Sequence, residues 1–246
     1  MNTIFIKHHL GMGDHIVHNG MIRRIVKENE DSKILIASQK HNIKNVQYMF
    51  RDLSQITIIE VGGDREVNDL IHSIKFDKVI SSHLDDGGAY SYRKYFDDAF
   101  YRQVGMDPKI KNQSYYIDRD LDLENRVFDE IITSKGITEY LFIHEKTIDT
   151  SLDDELGQPL FSIPPQPMSI RLDSTLPIIS AGEKYGIFEL LKVIEKAQAV
   201  HLTSSCFLSL MMCKKYNENI TAHMYCDPTR EYIAPYIKKH GINVLL

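Results

Sequence analysis

The sequence predicts an α/β protein built from two parallel sheets, each wrapped by crossover helices. Three observations carry this expectation. Short runs rich in Ile, Val and Phe alternate with longer stretches of helical periodicity along the chain. A glycine-bearing turn, Gly11-Met12-Gly13, joins the first such run to the first helical stretch. After Gly105-Met106-Asp107-Pro108 the alternation begins again.

In the first half, strands are expected at 3–7, 33–37, 56–61 and 78–81, with helices near 14–29, 40–51 and 64–74. The first helix gathers Val17, Met21, Ile22 and Ile25 on one side, with Arg23, Lys27 and Glu28 elsewhere. A helix near 91–104 follows, its Tyr92, Tyr95, Phe96, Ala99 and Phe100 recurring at core-facing spacing. The segment 105–112 reads as a linker, so the domains are expected at 1–108 and 109–246. In the second half, strands are expected at 114–117, 139–144, 177–180, 200–203 and 221–225. Helices are expected near 122–135, 186–197, 205–216 and 229–240, the last able to pack back on the first domain. Pro159, Pro164, Pro165 and Pro167 keep 146–175 from forming one continuous helix.

Composition narrows the class without naming a function. The 246 residues are 43% hydrophobic and 26% charged, ordinary for a soluble globular chain. A net charge of −5 argues against a nucleic-acid binder, which needs a basic face. Cys206, Cys213 and Cys226 form no C-x-x-C pair and fit reduced thiols, hence a cytoplasmic protein without a disulfide framework. No apolar run approaches the ~20 residues of a membrane span, and residues 1–6 are too short for a signal-peptide core.

The most informative local feature is His8-His9-Leu10-Gly11-Met12-Gly13-Asp14-His15, between the first strand and the first helix. Two glycines let the backbone approach a ligand, and a helix start offers unpaired N–H groups. Ile16 stands where a dinucleotide fingerprint wants a third small residue, so NAD binding is disfavoured. Asp14 suits two roles: general base toward a hydroxyl, or N-cap of the helix. His8, His9, His15 and His18 invite a metal reading, yet no cysteine or second carboxylate has matching spacing, and no metal is expected. Their other expected use is to line a polar cleft.

Strand, then H-x-L-G-x-G-D-H, then helix resembles the opening of the heptosyltransferase-like glycosyltransferases of the GT-B fold. Gly186–Ala197 followed by Val200-His-Leu-Thr-Ser-Ser205 is similar to that family's donor-side unit. The resemblance implies two Rossmann-like domains facing a central cleft. It further implies sugar transfer from a nucleotide-sugar, a co-substrate rather than a cofactor, to a hydroxyl of a glycan or lipid-linked saccharide. Asp14 then matches the catalytic base, while Thr203, Ser204 and Ser205 sit where a helix start meets the donor diphosphate. Ser204-Ser205-Cys206-Phe207 departs from the acidic residue, glycine and following histidine usual in that turn. Two alternatives remain at this point: a sugar-nucleotide epimerase or hydrolase on the same scaffold, or a binding module without chemistry.

Around these, His144 and Lys146 follow a second-half strand and are expected to meet donor phosphates; Glu189 is a candidate for a ribose hydroxyl pair. Gly11, Gly13, His15, His83 and Asp85 are assigned to the acceptor side. Asp118-Arg-Asp120-Leu-Asp122 mimics a D-x-D metal motif but, leading into a helix, reads as capping and surface charge. The expected partners are a nucleotide-sugar and a saccharide acceptor, with peripheral membrane contact compatible and no transmembrane segment.

Overall fold

The computed structural model describes residues 2–82, 96–145, 172, 174–180, 182, 184–224 and 230–246. Two compact units divide the chain, 1–119 and 120–246. The first contains β1 (Asn2–Lys7), α1 (Met12–Glu28), β2 (Ser32–Gln39), α2 (Ile43–Met49), β3 (Ile56–Val61), α3 (Asp64–Ser73) and β4 (Lys78–Ser81). It closes with α4 (Phe96–Gln103) and the one-turn α5 (Ile110–Gln113). The second contains α6 (Leu121–Ile131), β5 (Leu141–His144), β6 (Ile178–Ser180), α7 (Leu191–Lys196), β7 (Ala199–Leu202), α8 (Cys206–Cys213), β8 (Ile220–His223), α9 (Arg230–Lys239) and β9 (Asn243–Leu245).

Every strand pair is parallel, in the orders β3-β2-β1-β4 and β6-β5-β7-β8-β9. Pairing of Ile4 with Ile34 and of Ile6 with Ile36 puts these isoleucines on one face of the first sheet. The alternate residues Phe5, Leu35, Ala37 and Ile59 make the other face. Right-handed crossovers from β1 through β2 to β3 put α1 and α2 on the isoleucine face; the return to β4 puts α3 on the opposite one. There Val67, Leu70 and Ile71 of α3 pack with Phe5, Ala37, Val61 and Phe76. In the second sheet Phe142, Val200, Leu202, Ile220 and Ala222 share a buried face, and Phe207 of α8 lies against Phe142 with ring centroids 5.7 Å apart.

The first compact unit runs to Arg119, and the physical reason is local. The expected strand at 114–117 joins no sheet; this extended segment docks on α1 through Asn19. The Asn19 amide donates to the Tyr116 carbonyl (3.1 Å) and accepts the Tyr116 N–H (3.0 Å). Beside it, α5 lies so close to α1 that a Cβ on Gly20 would sit 2.7 Å from the carbonyl oxygens of Ile110 and Lys111. Lys111 pairs with Asp97 at 2.8 Å, with only 4% and 3% of the two side chains exposed. What reads as a linker is therefore a seal on the first unit.

Two other expectations change. β9 forms where no element is expected, and the helix expected at 186–197 is split into a 3-10 turn, Ile187–Leu190, and α7. The aromatic stripe near 91–104 packs inward where it is described: Phe100 and Tyr101 are fully buried. The Tyr101 hydroxyl donates to the Val17 carbonyl (2.8 Å) and accepts the Met21 N–H (3.1 Å). Tyr92, Tyr95 and residues 146–171 lie outside the described residues.

Candidate functional site

In a doubly wound sheet, ligands bind beyond the carboxyl ends of the strands where the winding reverses. That reversal lies between β1 and β4 in the first unit and between β5 and β7 in the second. Each carries one of the two sequence-predicted clusters.

In the first unit, β1 runs out through His8, His9 and Leu10 to Gly11, the N-terminal cap of α1. The helix starts at Met12, two residues before the expected position, so Asp14 is not the cap. It sits in the first turn, as does Gly13, where a carboxylate is favoured by the helix dipole. Its side chain folds back over Gly11: a Cβ there would stand 2.6 Å from Asp14 Oδ2. Glycine at 11 is thus a space requirement for the carboxylate position.

Three of the four histidines are interior, while His9 is partly exposed. His15 and His18 are wholly buried and His8 nearly so, beneath the turn. The His8 ring meets His15 edge-on at 4.6 Å and stacks on His18 at 4.8 Å. His18 Nδ1 lies 2.7 Å from the Asp14 carbonyl, which accepts its proton; Nε2 is then free to accept the Ser82 hydroxyl at 2.8 Å. Phe100 of α4 closes the other side of the His18 ring at 4.5 Å. Burial first, then the neighbouring histidines, hold His15 and His18 well below the ordinary imidazole pKa. His15, assigned to the acceptor side from the sequence, is an interior residue. His83 and Asp85 lie outside the described residues.

In the second unit, His144 ends β5 and Ser205 precedes α8. The Ser205 hydroxyl stands 3.1 Å from His144 Nδ1 and caps no N–H of α8. Thr203 locks the two strand ends: its N–H donates to the His144 carbonyl at 3.1 Å, its hydroxyl at 3.3 Å. Phe207 backs the His144 ring at 4.5 Å, and Ser204 is partly exposed between Thr203 and Ser205. His144, Thr203 and Ser205 therefore meet at one strand edge. Glu189 does not join them, because its carboxylate accepts the Gly186 N–H (3.1 Å) and caps its own turn. Lys146 lies outside the described residues. Burial raises the Cys206 thiol to about 11, so this cysteine at the head of α8 is no thiolate nucleophile at neutral pH.

A hollow of about 680 Å³ bordered by His201, Thr221, Lys238 and Asn243 shares no residue with either cluster. Asp120, from the D-x-D sequence, caps α6 by accepting the Leu123 N–H at 2.9 Å, and Asp118 pairs with Arg51. Among the described residues no group of His, Cys, Asp and Glu is arranged to hold a metal ion, and no helix is long and apolar enough to cross a membrane.

The fold seen here, two parallel, doubly wound units in sequence, is one found among solved glycosyltransferases. Solved structures share it. A glycosyl transferase family 9 protein from Veillonella parvula DSM 2008 matches with a TM-score of 0.54 at 14% identity, over 90% of this chain and 80% of that one. The E. coli ADP-heptose LPS heptosyltransferase II matches with a TM-score of 0.54 at 9% identity, over 91% and 84%. The iron-containing dodecameric glycosyltransferase TibC from enterotoxigenic E. coli H10407 matches at 0.53 and 11%, over 89% of this chain and 59% of that one. No protein-family model matches the sequence, and neither does any curated protein.

Proposed function

We propose that the chain is a metal-independent glycosyltransferase that moves a sugar from a nucleotide-sugar to a hydroxyl acceptor in the cytoplasm. The observation that carries this reading is Asp14, its carboxylate drawn over Gly11 at the reversal of the first sheet, in a fold shared with glycosyltransferases. Asp14 takes the acceptor proton as the new glycosidic bond forms. The departing nucleoside diphosphate carries its charge to the head of α8, where uncapped N–H groups and the His144–Ser205 pair receive it.

The test is Asp14→Asn, which keeps shape and removes the base. Calorimetry should show nucleoside diphosphate binding changed less than twofold, while transfer of radiolabelled sugar falls about 10²–10⁴-fold, the usual worth of a general base. Full transfer by the variant overturns the assignment of the base. Release of free sugar or an epimerised nucleotide-sugar in place of transfer favours the hydrolase or epimerase alternative. Binding without turnover across a panel of acceptors favours a binding module.

A further inference from the structure

The His8–His15–His18 stack does nothing in the chemistry proposed above, yet it is the most unusual interior feature of the first unit. A buried polar group is normally matched by a partner. None of the described residues offers either ring nitrogen of His15 a hydrogen bond, and the residue is wholly buried. His18 is the reverse case, with both nitrogens engaged. One holds the Asp14 carbonyl in the first turn of α1, the other the Ser82 hydroxyl just past β4. Ser82 is itself tied to β1, its N–H donating to the Lys7 carbonyl at 2.9 Å. His18 thereby links the turn that bears Asp14 to both strands that border the sheet reversal.

From this geometry we infer that the histidine stack is a proton-sensitive clasp: neutral, it holds the Gly11–Asp14 turn against β1 and β4, and protonated, it releases that turn. Among the described residues, the surroundings give a new cation little help. From the β1 exit the facing groups are His8 and His9; from α1, the Asp14 main chain; from beyond β4, the uncharged Ser82. From α4 the neighbour is Phe100, and the buried carboxylate of that helix, Asp97, is already paired with Lys111. Once one ring is protonated, a second proton on the next ring, less than 5 Å away, is opposed by like charge.

The sign follows from linkage. Rings held below their unfolded pKa contribute stability that is complete above about pH 6.5 and is lost as the pH falls toward their folded values. Two such histidines multiply the unfolding constant by about a hundredfold per pH unit inside that window, since each contributes about tenfold.

The experiment follows denaturant unfolding of the full chain, and the protection of backbone amides 10–19 relative to their intrinsic exchange, at about pH 8 and about pH 5.5. Wild type, His15→Phe and Ser82→Ala are compared. Wild type should lose about a hundredfold in its folding constant on acidification. His15→Phe, which keeps a ring in place, should remove about tenfold of that loss. Ser82→Ala should lower the protection of 10–19 at both pH values. Equal acid sensitivity in wild type and His15→Phe overturns the inference. So does protection of 10–19 that neither acid nor Ser82→Ala alters. If His15→Phe fails to fold, imidazole NMR of the wild type decides: a His15 ring still neutral at about pH 6 upholds the clasp, and a protonated one overturns it. None of these readouts depends on sugar transfer.

Discussion

At the scale of single residues, position 11 governs position 14. Any side chain at Gly11 must displace the Asp14 carboxylate, because the first carbon added would lie 2.6 Å from Oδ2. Gly11→Ala should therefore leave melting behaviour nearly unchanged while lowering transfer by about 10²-fold, the usual effect of moving a reacting group by about 1 Å. Steady-state assays beside a thermal melt check this, and an equal fall in both would point to a folding defect. The buried Lys111–Asp97 pair obeys a different rule. Lys111→Met leaves Asp97 as a buried charge without its ammonium and should cost about 3–5 kcal/mol in denaturant unfolding.

At the scale of elements, the close approach of α5 to α1 is decided by Gly20. A methyl group there meets two backbone oxygens at 2.7 Å, and backbone cannot swing aside as a side chain can. Gly20→Ala should destabilise the first unit by about 1–3 kcal/mol, read from the denaturation midpoint. Regular elements were legible in the sequence because apolar period and glycine position speak locally: β3 and β4 occupy the expected 56–61 and 78–81. The start of α1 was misplaced because Met12 and Gly13 read as loop, whereas Gly11 already caps the helix. The 114–117 segment has strand composition, but its pairing partner is the Asn19 side chain, and a contact between residues so far apart leaves no local trace. β9 could have been anticipated from Gly241, whose left-handed φ of +68° ends α9 just before the largely apolar Ile242-Asn243-Val244-Leu245-Leu246. Of the candidate site, the positions of Asp14, His144, Thr203 and Ser205 at or after strand ends were legible from the apolar pattern. The burial of His15 and His18 was not, since histidine at helical spacing fits a surface and a core equally well.

At the scale of the whole molecule, the two units should answer differently to a nucleoside diphosphate. If the head of α8 receives the diphosphate, hydrogen exchange in 199–213 should slow on ligand addition while 2–28 changes little. Stabilisation should reach about 2.7 kcal/mol at a ligand concentration of a hundred Kd. Slowing confined to 8–18 would move the donor to the first unit and reverse the assignment.

The contiguity of the first unit has a consequence during synthesis. All four strands of its sheet, together with the 109–119 segment that seals α1, are encoded before residue 120. Parallel pairing needs every crossover in place and is slow to form, so an emerging chain gains from completing one sheet before the next competes for partners. Once residue 119 has left the ribosome, the nascent polypeptide already holds everything its first sheet requires, and a translational pause just downstream would give that sheet time to close.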